Sequence, residues 1–263
     1  MGRPMLGVAG YPVAHSRSPA MHTAALAELG LDWGYVKVPV PPELFAETVR
    51  ALPASGFRGL NVTVPHKEAA LTVADAGSPA AAAIGAANTL TFGDDGTIAA
   101  ENTDAPGFLA ALEQDVRGME ATVLGAGGSA RAVAWALADA GAARVTVVNR
   151  TPARAVALAA DLGVEVAEAP SAGDLLVNCT SVGLEPGDPD EALASLGLGG
   201  VAPPAVVVDM VYSAQATPVQ RWAASGGARF VDGTEILVRQ GALSLERWTG
   251  RTAPVQAMRA ALR

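Results

Sequence analysis

Ala121-Thr122-Val123-Leu124-Gly125-Ala126-Gly127-Gly128-Ser129-Ala130-Arg131-Ala132 reads as a strand, a tight turn and a helix: an apolar run breaks into glycines and then into an alanine-rich helical pattern. Gly125 lets the strand turn sharply, Gly127 removes a side chain where a pyrophosphate would approach the backbone, and small Ala130 lets the helix pack closely on the strand. The helix N-terminus faces such a ligand with N–H groups and a partial positive charge. The same glycine spacing also makes plain structural turns, so the surrounding chain decides its purpose.

Downstream the rhythm is that of a parallel α/β sheet. Strands are expected at 122–124, 144–148, 175–178, 206–209 and 229–231, and helices from the turn to about 140 and over 152–162, 235–248 and 255–262. Those at 175–178 and 206–209 are continuous apolar strands, as expected where helices cover both faces of a sheet. Upstream, strands at 5–9, 33–40 and 60–64 alternate with helices at 18–29, 42–52 and 67–74; Pro19 sits in the first turn of one and Gly30 just past its end. An alanine-rich helix is expected at 80–87. A hairpin at 88–92 and 97–101 is signalled by Gly93-Asp94-Asp95-Gly96. Pro106-Gly107 reads as the start of a connecting helix, which puts a domain junction near Asp104. The expected class is α/β.

Composition narrows the partners. The 263 residues are 50% hydrophobic and 17% charged, with a formal net charge of −8, which fits a globular chain with a large core. So acidic a chain lacks the basic footprint of a nucleic-acid binder. No apolar run reaches the roughly 18 residues that span a bilayer. The first residues lead into a strand rather than a signal peptide, so a soluble, cytoplasmic protein is expected. The sole cysteine, Cys179, makes no internal disulfide and no cysteine metal cluster. His15, His22 and His66 lack helical ligand spacing, and no metal is expected.

A protein selecting NAD usually carries an acid at the end of the second strand, about twenty residues after the glycine turn. Here that strand ends Val147-Val148-Asn149-Arg150-Thr151, with Arg154 one turn further on. A guanidinium suits a phosphate and an acid would repel it, so Arg150 and Arg154 point to the 2′-phosphate of NADP.

Three polar clusters lie where strands of the first half end. His15-Ser16-Arg17-Ser18-Pro19 is a hydroxyl-rich turn suited to an anion, although Ser18 before Pro19 is also the ordinary signature of a helix N-cap. Asn61-Val62-Thr63-Val64-Pro65-His66-Lys67 delivers polar side chains and then a lysine. Gly85-Ala86-Ala87-Asn88-Thr89 and Glu101-Asn102-Thr103-Asp104 place Asn-Thr pairs at the two ends of the hairpin.

Taken together, these blocks resemble the shikimate dehydrogenase family. The likeness includes Gly10 to Pro19 with His22, Gly59 to Lys67, Gly85 to Thr89 and Asn102 to Asp104. It continues through Gly125 to Ala130, Asn149-Arg150-Thr151, Asn178 to Gly183, Asp209-Met210-Val211-Tyr212 with Thr217-Pro218, and Gln240-Gly241-Ala242 near Trp248-Thr249-Gly250. It covers about residues 7–250 in the family's order.

The resemblance implies a two-domain enzyme that reduces 3-dehydroshikimate to shikimate with NADPH. Residues 1–104, joined by returning helices at about 239–263, would form a substrate domain with a mixed sheet. Residues 105–238 would form a Rossmann-like NADP domain, with a cleft between the two. By the same similarity Lys67 and Asp104 are the catalytic pair, and Ser16 and Ser18 hold the substrate carboxylate. Asn61, Thr63, Asn88, Asp104 and Gln240 bind ring hydroxyls, and Tyr212 closes on the substrate. The cofactor falls to Gly125, Ala126, Gly127, Gly128, Ser129, Ala130, Asn149, Arg150, Thr151, Arg154, Thr180, Met210 and Gly233. Both monomer and homodimer are open.

The chain departs from the family at Thr23, where Asn is common, and at Ser213-Ala214, where Asn-Pro usually follows the tyrosine. It departs again at Gly233-Thr234-Glu235-Ile236-Leu237-Val238, where the family often shows Gly-Leu-Gly-Met-Leu-Val. Rival readings are a paralogue acting on quinate or an amino analogue of shikimate, and a non-catalytic NADP-binding regulator. Ser16, Ser18 and Arg150 speak against the first; Lys67 and Asp104 speak against the second. A glutamyl-tRNA reductase reading fails for want of a nucleophilic cysteine in the first half.

Overall fold

The computed structural model describes residues 2–171, 173–213 and 215–263. The chain divides into two compact units, Met1–Gly107 with Leu237–Arg263, and Phe108–Ile236. Each boundary falls inside a helix, Asp104–Leu112 and Gly233–Thr249.

The first unit is built on a six-stranded mixed sheet. Its strands are β1 (Met5–Gly10), β2 (Gly34–Pro39), β3 (Phe57–Val62), β4 (Ala76–Gly77), β5 (Thr89–Phe92) and β6 (Ile98–Glu101), in the order β2-β1-β3-β5-β6-β4. β1 pairs in parallel with β2 and β3, whereas β3, β5 and β6 run antiparallel. Alternation along the strands feeds two cores. Ala9, Leu60, Val62 and Leu90 pack with Phe45, Val49 and Val73. Leu6 and Val8 pack with Met21, Leu26, Trp248 and Met258. The β3–β5 register sets Asn61 opposite Thr89, which carries polar side chains into the sheet centre.

The second unit carries six parallel strands: β7 (Glu120–Leu124), β8 (Arg144–Val148), β9 (Glu165–Val166), β10 (Leu175–Asn178), β11 (Val206–Asp209) and β12 (Arg229–Val231). They lie in the order β12-β11-β10-β7-β8-β9, which is the doubly wound order of dinucleotide-binding sheets. The α/β class with a mixed and a parallel sheet is therefore as expected.

Differences are local. The helix expected over 42–52 opens as a 3-10 turn, Pro42–Leu44, before Phe45–Ala51. The strand expected to end at 64 stops at Val62, ahead of a cis Val64-Pro65 bond. The alanine-rich helix is Pro79–Ile84, N-capped by Ser78 and ended by Gly85 in the left-handed region. The two-residue strands β4 and β9 and the short helices Pro189–Ser195 and Pro218–Ser225 were not expected. Both helices nevertheless begin with a cap followed by proline, Asp188-Pro189 and Thr217-Pro218. Among the described residues no helix is long and apolar enough to cross a membrane.

One aromatic group anchors the second core of the first unit. Trp248 donates its indole N–H to Leu90 O at 2.9 Å. A Cβ on Gly59 would lie 2.1 Å from that nitrogen. Gly59→Ala should therefore cost about 3 kcal/mol by overpacking, read as a lowered urea midpoint. An unchanged midpoint contradicts this packing.

Beside Trp248, His22 is fully buried and stacks on Tyr35 with ring centroids 4.3 Å apart. Neither ring nitrogen has a hydrogen-bond partner among the described residues. Burial pushes its pKa down to about 3. The folded state thus holds the imidazole neutral while the unfolded chain protonates it near pH 6.5. The contribution is intact above pH 6.5 and is lost as pH falls toward 3, reaching about 2 kcal/mol by pH 5. His22→Phe should remove that part of the acid sensitivity in urea titrations at pH 5 and 7.5. Parallel losses in both proteins would contradict it.

Candidate active site

Three elements bring one buried polar centre together in the first unit. The turn after β3 presents Lys67 at the start of helix Lys67–Val73, and the end of the β5–β6 hairpin presents Asn88 and Asp104. Helix Gly233–Thr249 presents Gln240, Ser244 and Trp248 four residues apart, hence on one face. That helix reaches the centre closely because Gly107 has no side chain: a Cβ there would sit 2.7 Å from Gln240 Cβ.

Lys67 Nζ donates to Asp104 Oδ2 at 2.5 Å, and the two residues are 8% and 4% exposed. Asn88 Nδ2 donates to Asp104 Oδ1 at 2.8 Å and to Thr103 Oγ1 at 2.9 Å, and faces Gln240 Oε1 at 3.1 Å. Asn88 Oδ1 in turn accepts from Thr103 N at 2.7 Å. The two amide hydrogens are thus shared among three protein acceptors, so Asn88 orients Asp104 before any ligand arrives. His66 supports the lysine from behind. Its Nε2 donates to Val40 O at 2.7 Å, its ring stacks on Phe45, and burial holds its pKa below the usual value. A lysine ammonium held beside a carboxylate out of water can stabilise an oxygen that gains negative charge and pass it a proton.

Around this pair the hydroxyl and amide groups are tightly engaged. Tyr35 Oη donates to Asn61 Oδ1 at 2.8 Å, and Asn61 Nδ2 donates to Ser244 Oγ at 2.9 Å. Ser244 Oγ lies 2.7 Å from Thr89 Oγ1 and 3.1 Å from Thr103 Oγ1. Thr89 and Thr103 belong to the Asn-Thr pairs that the sequence marks as a polar cluster, whereas sequence reasoning does not single out Tyr35 and Ser244; the four-residue spacing from Gln240 is the available signal for Ser244. Thr63 is half-buried just beyond β3. Ser16 and Ser18 are buried, with Ser18 N donating to Ser16 Oγ at 3.4 Å. Helix Ser18–Glu28 has no side-chain cap, since Arg17 occupies the N-cap position and turns its guanidinium onto Leu262 O. The N-cap reading of Ser18 is thereby corrected.

In the second unit, Gly125 turns at φ +108°, where a Cβ would press on Cys179 O at 3.2 Å. Gly127 leads helix Gly128–Asp139, which no side chain caps, and a Cβ on Gly127 would meet nothing within 4 Å. Ala126, Gly128 and Ser129 are half-buried beside it, and Ala130 is buried against the strand. A groove of about 580 Å³ runs alongside, lined by Gly125, Asn149, Arg150, Glu168, Thr180 and Val182 among others. Asn149 Nδ2 donates to Thr151 O at 2.9 Å, and Arg150 and Arg154 are exposed. Open backbone at an uncapped helix N-terminus, with a guanidinium on the adjoining groove, fits a dinucleotide carrying an extra phosphate. Met210 and Tyr212 are half-buried after β11, and Gly233 packs on the carbonyls of Asp209, Met210 and Val211. Of the departure at Ser213-Ala214, Ala214 lies outside the described residues. Among those described, no group of three or more His, Cys, Asp or Glu could hold a metal ion.

Comparison with known proteins places the chain among relatives of one family. Residues 8–90 match the shikimate dehydrogenase substrate binding domain, residues 109–180 match shikimate / quinate 5-dehydrogenase, and residues 233–263 match the shikimate 5′-dehydrogenase C-terminal domain. A shikimate dehydrogenase (NADP(+)) from Methanothermobacter thermautotrophicus is 43% identical over 98% of this chain and 95% of its own length. One from Methylobacterium radiotolerans is 45% identical over 94% and 92%. The crystal structure of shikimate 5-dehydrogenase from Thermus thermophilus, in complex with NADP(H) and shikimate, is 41% identical. It covers 99% of this chain and 98% of its own, with a TM-score of 0.87.

Proposed function

The chain belongs to the shikimate dehydrogenase family, and from that premise we propose that it reduces 3-dehydroshikimate reversibly to shikimate with NADPH at the Lys67–Asp104 centre. The observation that carries the proposal is the 2.5 Å contact between two charged groups buried in one hydrogen-bonded cluster.

NADPH, when bound, supplies a hydride to the ketone carbon. Gly125 to Ala130 and the uncapped helix N-terminus would hold its pyrophosphate, and Arg150 with Arg154 would supply positive charge for the 2′-phosphate. Lys67 donates a hydrogen bond to the ketone oxygen. As that oxygen becomes an alkoxide, the ammonium stabilises it and gives it the proton that completes the alcohol. The lysine regains its proton from solvent. Asp104 holds the ammonium in place and accepts from the neighbouring ring hydroxyl, and Asn88 keeps that carboxylate turned toward the lysine. Ser16 and Ser18 receive the substrate carboxylate by hydroxyl hydrogen bonds, while Asn61, Thr63 and Gln240 border the ring.

NADPH consumption with 3-dehydroshikimate, and NADP reduction with shikimate beside quinate, test the reaction; turnover of quinate without shikimate overturns it. Lys67→Ala should lower kcat by about 1,000-fold with much less change in KM for the substrate. Near-normal kcat removes Lys67 from the chemistry. Arg150→Asp should weaken NADPH binding by about 30-fold, as expected for a lost charge-assisted bond, and leave NADH binding nearly unchanged. Equal losses for both cofactors contradict the role of Arg150.

A further inference from the structure

Asp209 ends β11 with a carboxylate that is completely buried. It accepts three hydrogen bonds from uncharged donors on separate segments. Oδ1 accepts from Asn178 Nδ2 at 2.9 Å and from Val211 N at 3.1 Å, and Oδ2 accepts from Thr217 Oγ1 at 2.6 Å. The acid of Asp209 is thus shared among the end of β10, the segment that follows β11, and the cap of helix Pro218–Ser225.

Each contact continues outward. Asn178 Oδ1 accepts from Thr180 N at 3.1 Å and from Thr180 Oγ1 at 2.7 Å, and Thr180 Oγ1 accepts from Val182 N at 3.1 Å. Thr180 and Val182 form one wall of the groove beside the glycine turn. Thr217 Oγ1 accepts from Gln220 N at 3.0 Å, which fixes the helix start. A buried carboxylate is costly unless its acceptors are used, and a neutral amide could not accept all three donors at once.

We infer that Asp209 is a positioning residue for nucleotide binding: ionised, it holds Thr180–Val182 as the groove wall through Asn178 and anchors residues 211 and 217 at both ends of the adjoining segment. This rests on the assignment of the groove to NADPH.

Burial pushes the pKa of Asp209 up to about 6, against the lowering effect of its three hydrogen bonds. The charged group facing it is Asp232, which follows β12 and pushes in the same direction. Among the described residues, its hydrogen-bond partners from β10 and the segment after β11 are Asn178, Val211 and Thr217; the titratable side chains of Cys179 and Tyr212 follow those strand ends half-buried, and Arg221 of the following helix is exposed. The carboxylate is ionised at pH 8 and largely protonated at pH 5. If the ionised form shapes the groove, NADPH binding weakens as pH falls through about 6.

The cofactor's own 2′-phosphate also titrates near pH 6, so the informative quantity is the ratio between two proteins measured with the same ligand. NADPH dissociation constants are measured by fluorescence for the whole protein and for the isosteric variant Asp209→Asn, from pH 5 to 8, with thermal melts to confirm folding. The variant should bind about fivefold more weakly at pH 8, and the ratio should approach one at pH 5. A ratio of one throughout, or a constant ratio, overturns the positioning role. Failure of the unaltered protein to bind NADPH at any pH overturns instead the groove assignment.

Discussion

An ammonium and a carboxylate buried in direct contact govern the first unit, because neither charge tolerates loss of the other. Removing one partner of such a pair leaves an uncompensated charge worth about 3–5 kcal/mol. The surrounding fold reads as the set of arrangements that keeps Lys67 and Asp104 together. His66 pins the turn that precedes the lysine to Val40. Asn88 bonds the other carboxylate oxygen. Gly107 admits the helix that brings Gln240 to the same amide. The mixed sheet matters here because the antiparallel β3–β5 pairing is what sets Asn61 opposite Thr89 beside that centre.

The second unit answers to a different constraint: backbone must come close to a charged ligand without side chains in the way. Gly125 and Gly127 satisfy it in opposite manners, the first by a φ that side chains avoid, the second by open space above its Cα. Behind them the polar ends of β10 and β11 are tied through Asn178 and Asp209, so the groove wall rests on a buried acid rather than on loop packing alone.

Much of this was legible in the sequence, and for physical reasons. The strands 175–178 and 206–209 are short, mainly apolar runs buried along their whole length, and the strands 144–148 and 229–231, each opening on an exposed arginine, also lie where they were expected. What escaped was set by partners distant in the chain. β4 and β9 have two residues each and exist only because a neighbouring strand pairs with them. The hydroxyl shell of Tyr35, Thr89, Thr103 and Ser244 is assembled from four separate segments; the Asn-Thr pairs are visible locally, but no local pattern marks Tyr35 as the partner of Asn61 or Ser244 as the partner of Thr89. Asn88 shows the same limit, since its sequence context suggests a ligand contact and only the fold reveals how fully the protein uses its amide.

The central claim is that the buried pair is where the substrate reacts. A crystal structure of the protein with shikimate bound tests it most directly. The account predicts the carbinol oxygen that is oxidised within about 3 Å of Lys67 Nζ, with the adjacent hydroxyl on Asp104 and the carboxylate at Ser16 and Ser18. A ring bound with that oxygen out of reach of Lys67 would contradict it.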